Sequence, residues 1–218
     1  MNATRVSTRA GRRSGKLLIV AGLMLVPALK AGEVIYTVTG TVSVGIDQGN
    51  FFGLGKRIPE GTPFAAVATF DDTKARLNTD EGGCPESESS VIGGSLYDYF
   101  GRKYPSAGTA TVTINGRSIE FGKTPTAGSQ VSRYFRCWCN NMPSKISILV
   151  MDGVWKGMGP SPYAALDITV EAADMPKGTA WSTPGTFTKV SGTLSMNLFT
   201  GKVASSSLNV KSIVVTRK

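Results

Sequence analysis

Three cysteines, Cys84, Cys137 and Cys139, are the most nucleophilic side chains in a sequence of 218 residues that contains no histidine. Without an imidazole the chain cannot assemble a Ser-His-Asp or Cys-His relay, nor a histidine-ligated zinc centre. What chemistry remains needs paired carboxylates, a lysine or tyrosine base, or a carboxylate-held metal. Asp98, Glu120, Asp167 and Glu171 are the acids that fall on expected strands. A glycan hydrolase or lyase would need two of them facing each other about 5 to 9.5 Å apart. Strand-borne acids ordinarily face solvent, so the expectation is a protein that is not an enzyme, with carboxylate-based glycan cleavage as the remoter alternative.

The cysteines read better as a structural device. On a strand, Cys137 and Cys139 point to one face with Cα atoms about 6.5 to 7 Å apart, too far to bond to each other without distortion. The expected disulfide joins Cys84 to Cys137 or Cys139. It would close a loop of about 50 residues and stabilise the fold by roughly 3 to 4 kcal/mol through the unfolded chain's entropy. The third thiol is left over. A soft metal on all three sulfurs is the competing arrangement, and no metal site is assigned.

Aromatic side chains supply the candidate ligand-binding residues. Trp155 and Tyr163 flank the segment Lys156-Gly157-Met158-Gly159-Pro160-Ser161-Pro162, and Trp181 lies in a second Pro/Gly loop. Rings displayed on loops stack on pyranose faces in many sugar-binding modules, so Trp155, Tyr163 and Trp181 are the speculative glycan contacts. The competing reading has them plug the ends of the sheets. A further cluster, Tyr97, Tyr99, Phe100 and Tyr104, falls in an irregular stretch. Residues 71–94 carry Asp71, Asp72, Asp80, Glu81, Glu86 and Glu88 in no EF-hand spacing. No cofactor is therefore assigned, calcium being the weak alternative.

The elements that must hold these residues read as strands. Val34, Tyr36, Val38, Val42 and Val44 fall on one face, Thr37, Thr39, Thr41 and Ser43 on the other, the period of two that only a pleated strand produces. A second strand covers residues 64–70. The connection between them, residues 45–63, is rich in turns, and Phe51, Phe52 and Leu54 are expected to tuck under the sheet edge. Asn115-Gly116 is the clearest local signal. It sits between two alternating runs, as a two-residue type I′ hairpin requires, so that Ile114 opposes Arg117, Val112 opposes Ile119 and Ala110 opposes Phe121. Further strands are expected over residues 129–139, 145–151, 164–171, 187–199 and 208–216. In the last two Val190, Leu194, Met196 and Leu198 share one side and Leu208, Val210 and Val214 another. With 26 Gly, 11 Pro and no amphipathic helix, the expected fold class is all-β, an antiparallel β-sandwich of jelly-roll-like type with about 8 to 9 strands.

The N-terminus reads differently. Residues 1–16 are basic and polar, and residues 17–29 form an apolar run of 13. That is too short to span a bilayer, which takes about 20 residues, but it suits a secretory signal. Cleavage after Ala31 is preferred over cleavage after Ala28, giving a signal peptide over residues 1–31 and one sandwich domain over 32–218. Arg12-Arg13 raises twin-arginine export as the rarer route. The expectation is an exported protein, periplasmic or extracellular, with no membrane span once the signal is removed. The formal charge of +9 belongs mostly to this leader, which holds six bases and no acid; the rest carries 24 − 6 = 18 bases against 15 acids. Nucleic acid is therefore not an expected partner. A glycan or another surface protein is.

Tyr36-Thr37-Val38-Thr39-Gly40-Thr41-Val42, Phe51-Phe52-Gly53 and Gly61-Thr62-Pro63-Phe64 through Asp71-Asp72-Thr73 resemble a domain of secreted bacterial proteins of the PEP-CTERM, exosortase-sorted kind. Val190-Ser191-Gly192-Thr193-Leu194 is similar to the closing strands of that group. The resemblance covers about 60 residues and implies a β-sandwich surface or matrix protein of undefined activity. The sequence departs from the group at residues 212–218, where a strand stands in place of the Pro-Glu-Pro sorting signal, membrane helix and basic tail.

Overall fold

A computed structural model describes residues 32–74, 77–80, 87–93, 108–124, 127–134, 144–153, 163–176, 180–197 and 202–218. All regular structure among them is antiparallel strand: β1 (Glu33–Asp47), β2 (Arg57–Ile58), β3 (Pro63–Asp71), β4 (Leu77–Asp80), β5 (Ser87–Gly93), β6 (Gly108–Ile114), β7 (Arg117–Phe121), β8 (Gly128–Tyr134), β9 (Lys145–Gly153), β10 (Tyr163–Ala172), β11 (Gly185–Phe187), β12 (Val190–Asn197) and β13 (Val203–Arg217). The all-β, antiparallel class is thus as the alternation dictates.

Eleven of these strands form one continuous sheet in the order β4-β5-β8-β9-β10-β12-β13-β1-β3-β6-β7, with β2 on β1 and β11 on β13. The two facing layers come from this single sheet curling on itself, so that β6 and β7 lie over β8, β9 and β10. The strand count exceeds the expected eight or nine because short pieces were not resolvable by period. The expected strand over 187–199 is in fact two: Phe187 ends β11, Val190 opens β12, and both pair with β13.

Curling is accomplished by the two 15-residue strands at the centre, β1 and β13. Their pairing slips twice. Thr39 faces Ser212 while Gly40 faces Val210, which leaves Lys211 as an extra residue; Val42 faces Leu208 while Val44 faces Ser207, which leaves Ser43 extra. Each bulge bends its strand and reverses which face the following residues present. Val34, Tyr36, Val38 and Val42 are inside with no exposure, yet Val44 is 68 % and Ile46 50 % exposed, while Asp47 turns inward. Val44 was expected inside with the others; the bulge at Ser43 puts it out. Likewise Ile213 and Val215, two and four residues beyond the bulge at Lys211, enter the core in place of Val214. Gly40 stands opposite that bulge, where a Cβ would lie 2.2 Å from Asn209 O and 2.9 Å from Val210 Cα.

The β6–β7 hairpin has the register that its turn requires: Ile114 on Arg117, Val112 on Ile119, Ala110 on Phe121. Asn115 and Gly116 have φ of 52° and 72°. A Cβ on Gly116 would meet nothing within 4 Å, so Gly116→Ala tests backbone conformation alone. It should cost about 1 to 2 kcal/mol, the left-handed penalty, in a urea titration. The core is filled from both layers by Phe64, Phe70, Val112 and Phe121 on one side and Ile146, Ile148, Val150, Leu166 and Ile168 on the other. Phe52 is buried in the core, and Phe51 and Leu54 are partly buried against that core, as the connection's apolar residues imply.

Candidate functional site

Several aspartates on the described strands and turns have structural tasks. At the end of β1, Asp47 is fully buried and its two oxygens accept the backbone N–H groups of Phe51 and Phe52, each at 2.9 Å. Asp152 in β9, 4 % exposed, accepts the N–H groups of Gly122 and Thr124 at 2.8 Å, which ties the segment after β7 to the opposite layer. Asp174 accepts from Thr188 N–H at 2.9 Å and holds the junction between β11 and β12. Partial burial raises the Asp174 pKa, but the N–H groups of Thr188 and Lys189 and the Thr188 hydroxyl outweigh it and hold the carboxyl below the usual aspartate range. Asp72 pairs with Arg217, and Asp71 with Lys74 at 2.9 Å. A carboxylate offers two oxygens to donors that a turn leaves unpaired, which is why aspartate recurs at these strand ends.

Among the described residues the carboxylates named for catalysis are not brought together. Glu171 lies 3.4 Å from Lys145, and Glu120 lies 3.9 Å from Lys123. Asp167 and Glu171 share the outer face of β10, four residues apart, which the strand rise sets at about 13 Å, beyond the span of either glycosidase geometry. Asp98 lies outside the described residues. Asp167 is exposed on the outer face of β10, and the partial desolvation of its carboxyl raises its pKa against the weaker pull of the Thr169 hydroxyl, 3.4 Å away. Its ionisation therefore opposes folding. The stability it contributes is complete below the unfolded value of 3.8 and is lost as pH rises through the higher folded value. Asp167→Asn should remove that loss, so urea titrations at pH 3 and pH 7 should show the variant gaining on the parent only at pH 7.

Of the aromatic candidates, Trp181 is an interior residue. Its ring is 6 % exposed and meets Phe70 edge-on at 6.5 Å, while its carbonyl accepts the Tyr36 hydroxyl. It closes the end of the sheet and is not available to stack on a sugar. Tyr163 opens β10 opposite Gly153, and nothing further is described of its side chain; Trp155 lies outside the described residues. Cys84, Cys137 and Cys139, and with them the expected disulfide, also lie outside, as do Tyr97, Tyr99, Phe100 and Tyr104. Among the described residues no group of three or more His, Cys, Asp or Glu side chains could hold a metal ion.

Beside Trp181 lies a residue that sequence reasoning missed. Arg133 in β8 is fully buried; its guanidinium donates to the carbonyls of Ala180 and Thr183 and stands 5.8 Å from the Tyr36 ring centre and 5.9 Å from that of Phe187. A planar five-donor cation suits a place where carbonyls and ring faces converge. The one available signal was parity: Val131 and Arg133 share a face of β8, and Val131 is core.

The outer face of the sheet is the surface with a consistent chemical character. On the half formed by β7, β6, β3, β1 and β13, cross-strand rows read Ser118-Thr113-Ala65-Thr39-Ser212, then Glu120-Thr111-Val67-Thr37-Val214, then Thr109-Thr69-Ile35-Thr216. Glu120 is the one formal charge in these three rows. Hydroxyls meet within the rows: Thr113 and Ser118 at 2.8 Å, Thr39 and Ser212 at 3.2 Å. On the other half, Ser207, Thr193, Thr169 and Ser147 stand opposite one another across four successive strands, and the register runs on to Ser132 in β8, which is buried. Strand spacing sets such a grid at about 4.8 Å across and about 6.7 Å along. It offers hydroxyls and methyls in repeat, with little net charge.

No protein-family model, curated protein or solved structure matches this chain. What it is therefore rests on the class its own structure defines: an antiparallel all-β domain in which several aspartates anchor turns or pair with bases and whose outer face carries rows of serine and threonine.

Proposed function

We propose that this chain is an exported, non-catalytic module that serves as a structural or binding component of the bacterial surface or matrix, through the outer face of its sheet. The observation that carries the reading is the uncharged hydroxyl grid on β6, β3, β1 and β13. Charged side chains such as lysine guard the edges of sheets, and these interior strands carry none in their three outward rows. A face of threonine, serine, alanine and valine instead suits a neutral, hydroxyl-rich polymer, whose own hydroxyls and C–H surfaces it matches without the desolvation cost of charge. The resemblance of residues 36–42 and 61–73 to exosortase-sorted surface domains points the same way, as does the signal-like leader.

The test is a glycan array probed with the exported protein and with the double variant Thr37→Lys/Thr39→Lys. The parent is expected to retain neutral β-linked polymers, and the variant to lose at least tenfold in retention with its melting temperature held within a few degrees. Equal retention by both would remove the face from the reading. A carbohydrate-binding module working through loop aromatics is the alternative. With Trp181 interior, it would have to rest on Trp155 and Tyr163, and loss of retention on Trp155→Ala alone would favour it.

A further inference from the structure

The first described residue lies against an acid. Gly32 N–H donates to Asp72 Oδ1 at 2.6 Å, and the Asp72 N–H returns a bond to the Gly32 carbonyl at 3.1 Å. The other Asp72 oxygen receives the Arg217 guanidinium, and Lys218 N–H donates to the Glu33 carbonyl at 2.9 Å. The beginning of β1, the end of β3 and the end of β13 thus meet on one carboxylate, whose side chain is 12 % exposed beside an arginine at 18 %. A neutral amide N–H is a modest partner for a carboxylate so placed. An ammonium at the same nitrogen would be a far stronger one.

We propose that the exported chain begins at Gly32, and that its α-ammonium docks on Asp72 as the third member of an ion cluster with Arg217. This rests on the export reading above and on the cut after Ala31, and adds to them a binding site for the new terminus. Hydrolysis of the Ala31–Gly32 bond by a peptidase that selects small residues adds the hydroxyl of water to the Ala31 carbonyl carbon and a proton to the Gly32 nitrogen. The amine so released takes another proton from solvent at neutral pH, since a free α-amino group titrates near 8. Three donors and a positive charge then occupy a position where one N–H stood, within reach of Asp72 Oδ1. Glu33, Asp71, Lys74 and Lys218 are the other charged residues nearby in sequence; Asp71 is engaged by Lys74 and Thr73, which leaves Asp72 to the terminus and Arg217. Cleavage after Ala28 would instead leave Leu29, Lys30 and Ala31 ahead of Gly32, and the nitrogen facing Asp72 would remain an amide.

The experiment has two readouts on the full chain expressed in an exporting bacterial host. N-terminal sequencing of the exported protein should return Gly-Glu-Val-Ile. A start at Leu29 would overturn the proposal while leaving export standing, and a start at Met1 would overturn both. Thermal melts should then compare Asp72→Asn in the parent with Asp72→Asn in a chain carrying one serine inserted between Ala31 and Gly32. The substitution is expected to lower the melting temperature by about 5 °C more in the parent, where a charged partner is lost, than in the extended chain. Equal shifts would show that the ammonium makes no bond to Asp72 and would overturn the proposal.

Discussion

Replacing Arg133 with alanine is expected to lower the unfolding free energy by about 3 to 4 kcal/mol, one of the two largest single-residue effects in this protein. Three losses coincide. The carbonyls of Ala180 and Thr183 lose a charged donor, the faces of Tyr36 and Phe187 lose a cation between them, and a fully buried side chain leaves a void. Arg133→Met separates these terms. It refills most of the volume but donates no hydrogen bond, so about half of the loss should remain in a denaturant titration. Arg133→Lys should do little better, because a compact ammonium cannot serve two carbonyls and two ring faces at once as the five-donor guanidinium does. A cost below 1 kcal/mol for the alanine variant would mean that the guanidinium holds nothing in place.

Gly40→Ala is expected to cost about 3 kcal/mol, and Gly40→Val to leave no cooperative fold. The reason is space. The added Cβ would sit 2.2 Å from Asn209 O and 2.9 Å from both Val210 Cα and the Phe64 ring, and two of those three are backbone atoms of the neighbouring strand. Backbone in the middle of β13 cannot retreat without undoing the slip between Thr39 and Gly40 on which the curl depends. The contrast with Gly116→Ala is the control. There the conformation is left-handed and the space is open, so a similar loss at both glycines in the same urea titration would contradict this account of the bulge.

How far the sequence discloses this fold can be followed residue by residue. Alternation exposes β1, β3, β6, β7, β10 and β13, because a half-buried strand sorts its side chains by parity, and Asn115-Gly116 fixes a register outright. Alternation fails at the bulges. Val42-Ser43-Val44-Gly45-Ile46 reads as unbroken period two, and nothing local announces that Ser43 is the extra residue, since a bulge is selected by how two strands must bend together. Lys211 hides the second slip in the same manner. Polar residues mislead for a related reason. Arg133 among Ser132 and Tyr134 looks solvent-facing, and only the parity it shares with Val131 hints otherwise. Trp181 in a Pro/Gly loop looks displayed, although its loop folds back so that the ring caps Phe70.

The candidate surface was half legible. Thr37, Thr39 and Thr41 on β1, and Thr109, Thr111 and Thr113 on β6, are plain in the sequence as outward residues. That β3 lies between those strands and brings Ala65, Val67 and Thr69 into the same rows depends on strand order, which period cannot supply. The row from Ser207 to Ser147 is further still from local signal, because it joins residues from β13, β12, β10 and β9. Aspartates as anchors were also missed, though Asp47 before Gln48-Gly49-Asn50 carries the usual mark of a side chain that caps a turn.

The most direct test of the outer face as the working surface is a map of backbone amide shifts on titrating the exported protein with a soluble neutral β-glucan. The account predicts that the perturbed amides lie on β1, β3 and β6, centred on Thr37, Thr39, Val67 and Thr111. Perturbations confined to the loops that carry Trp155 and Tyr163, or none at saturating glucan, would contradict it.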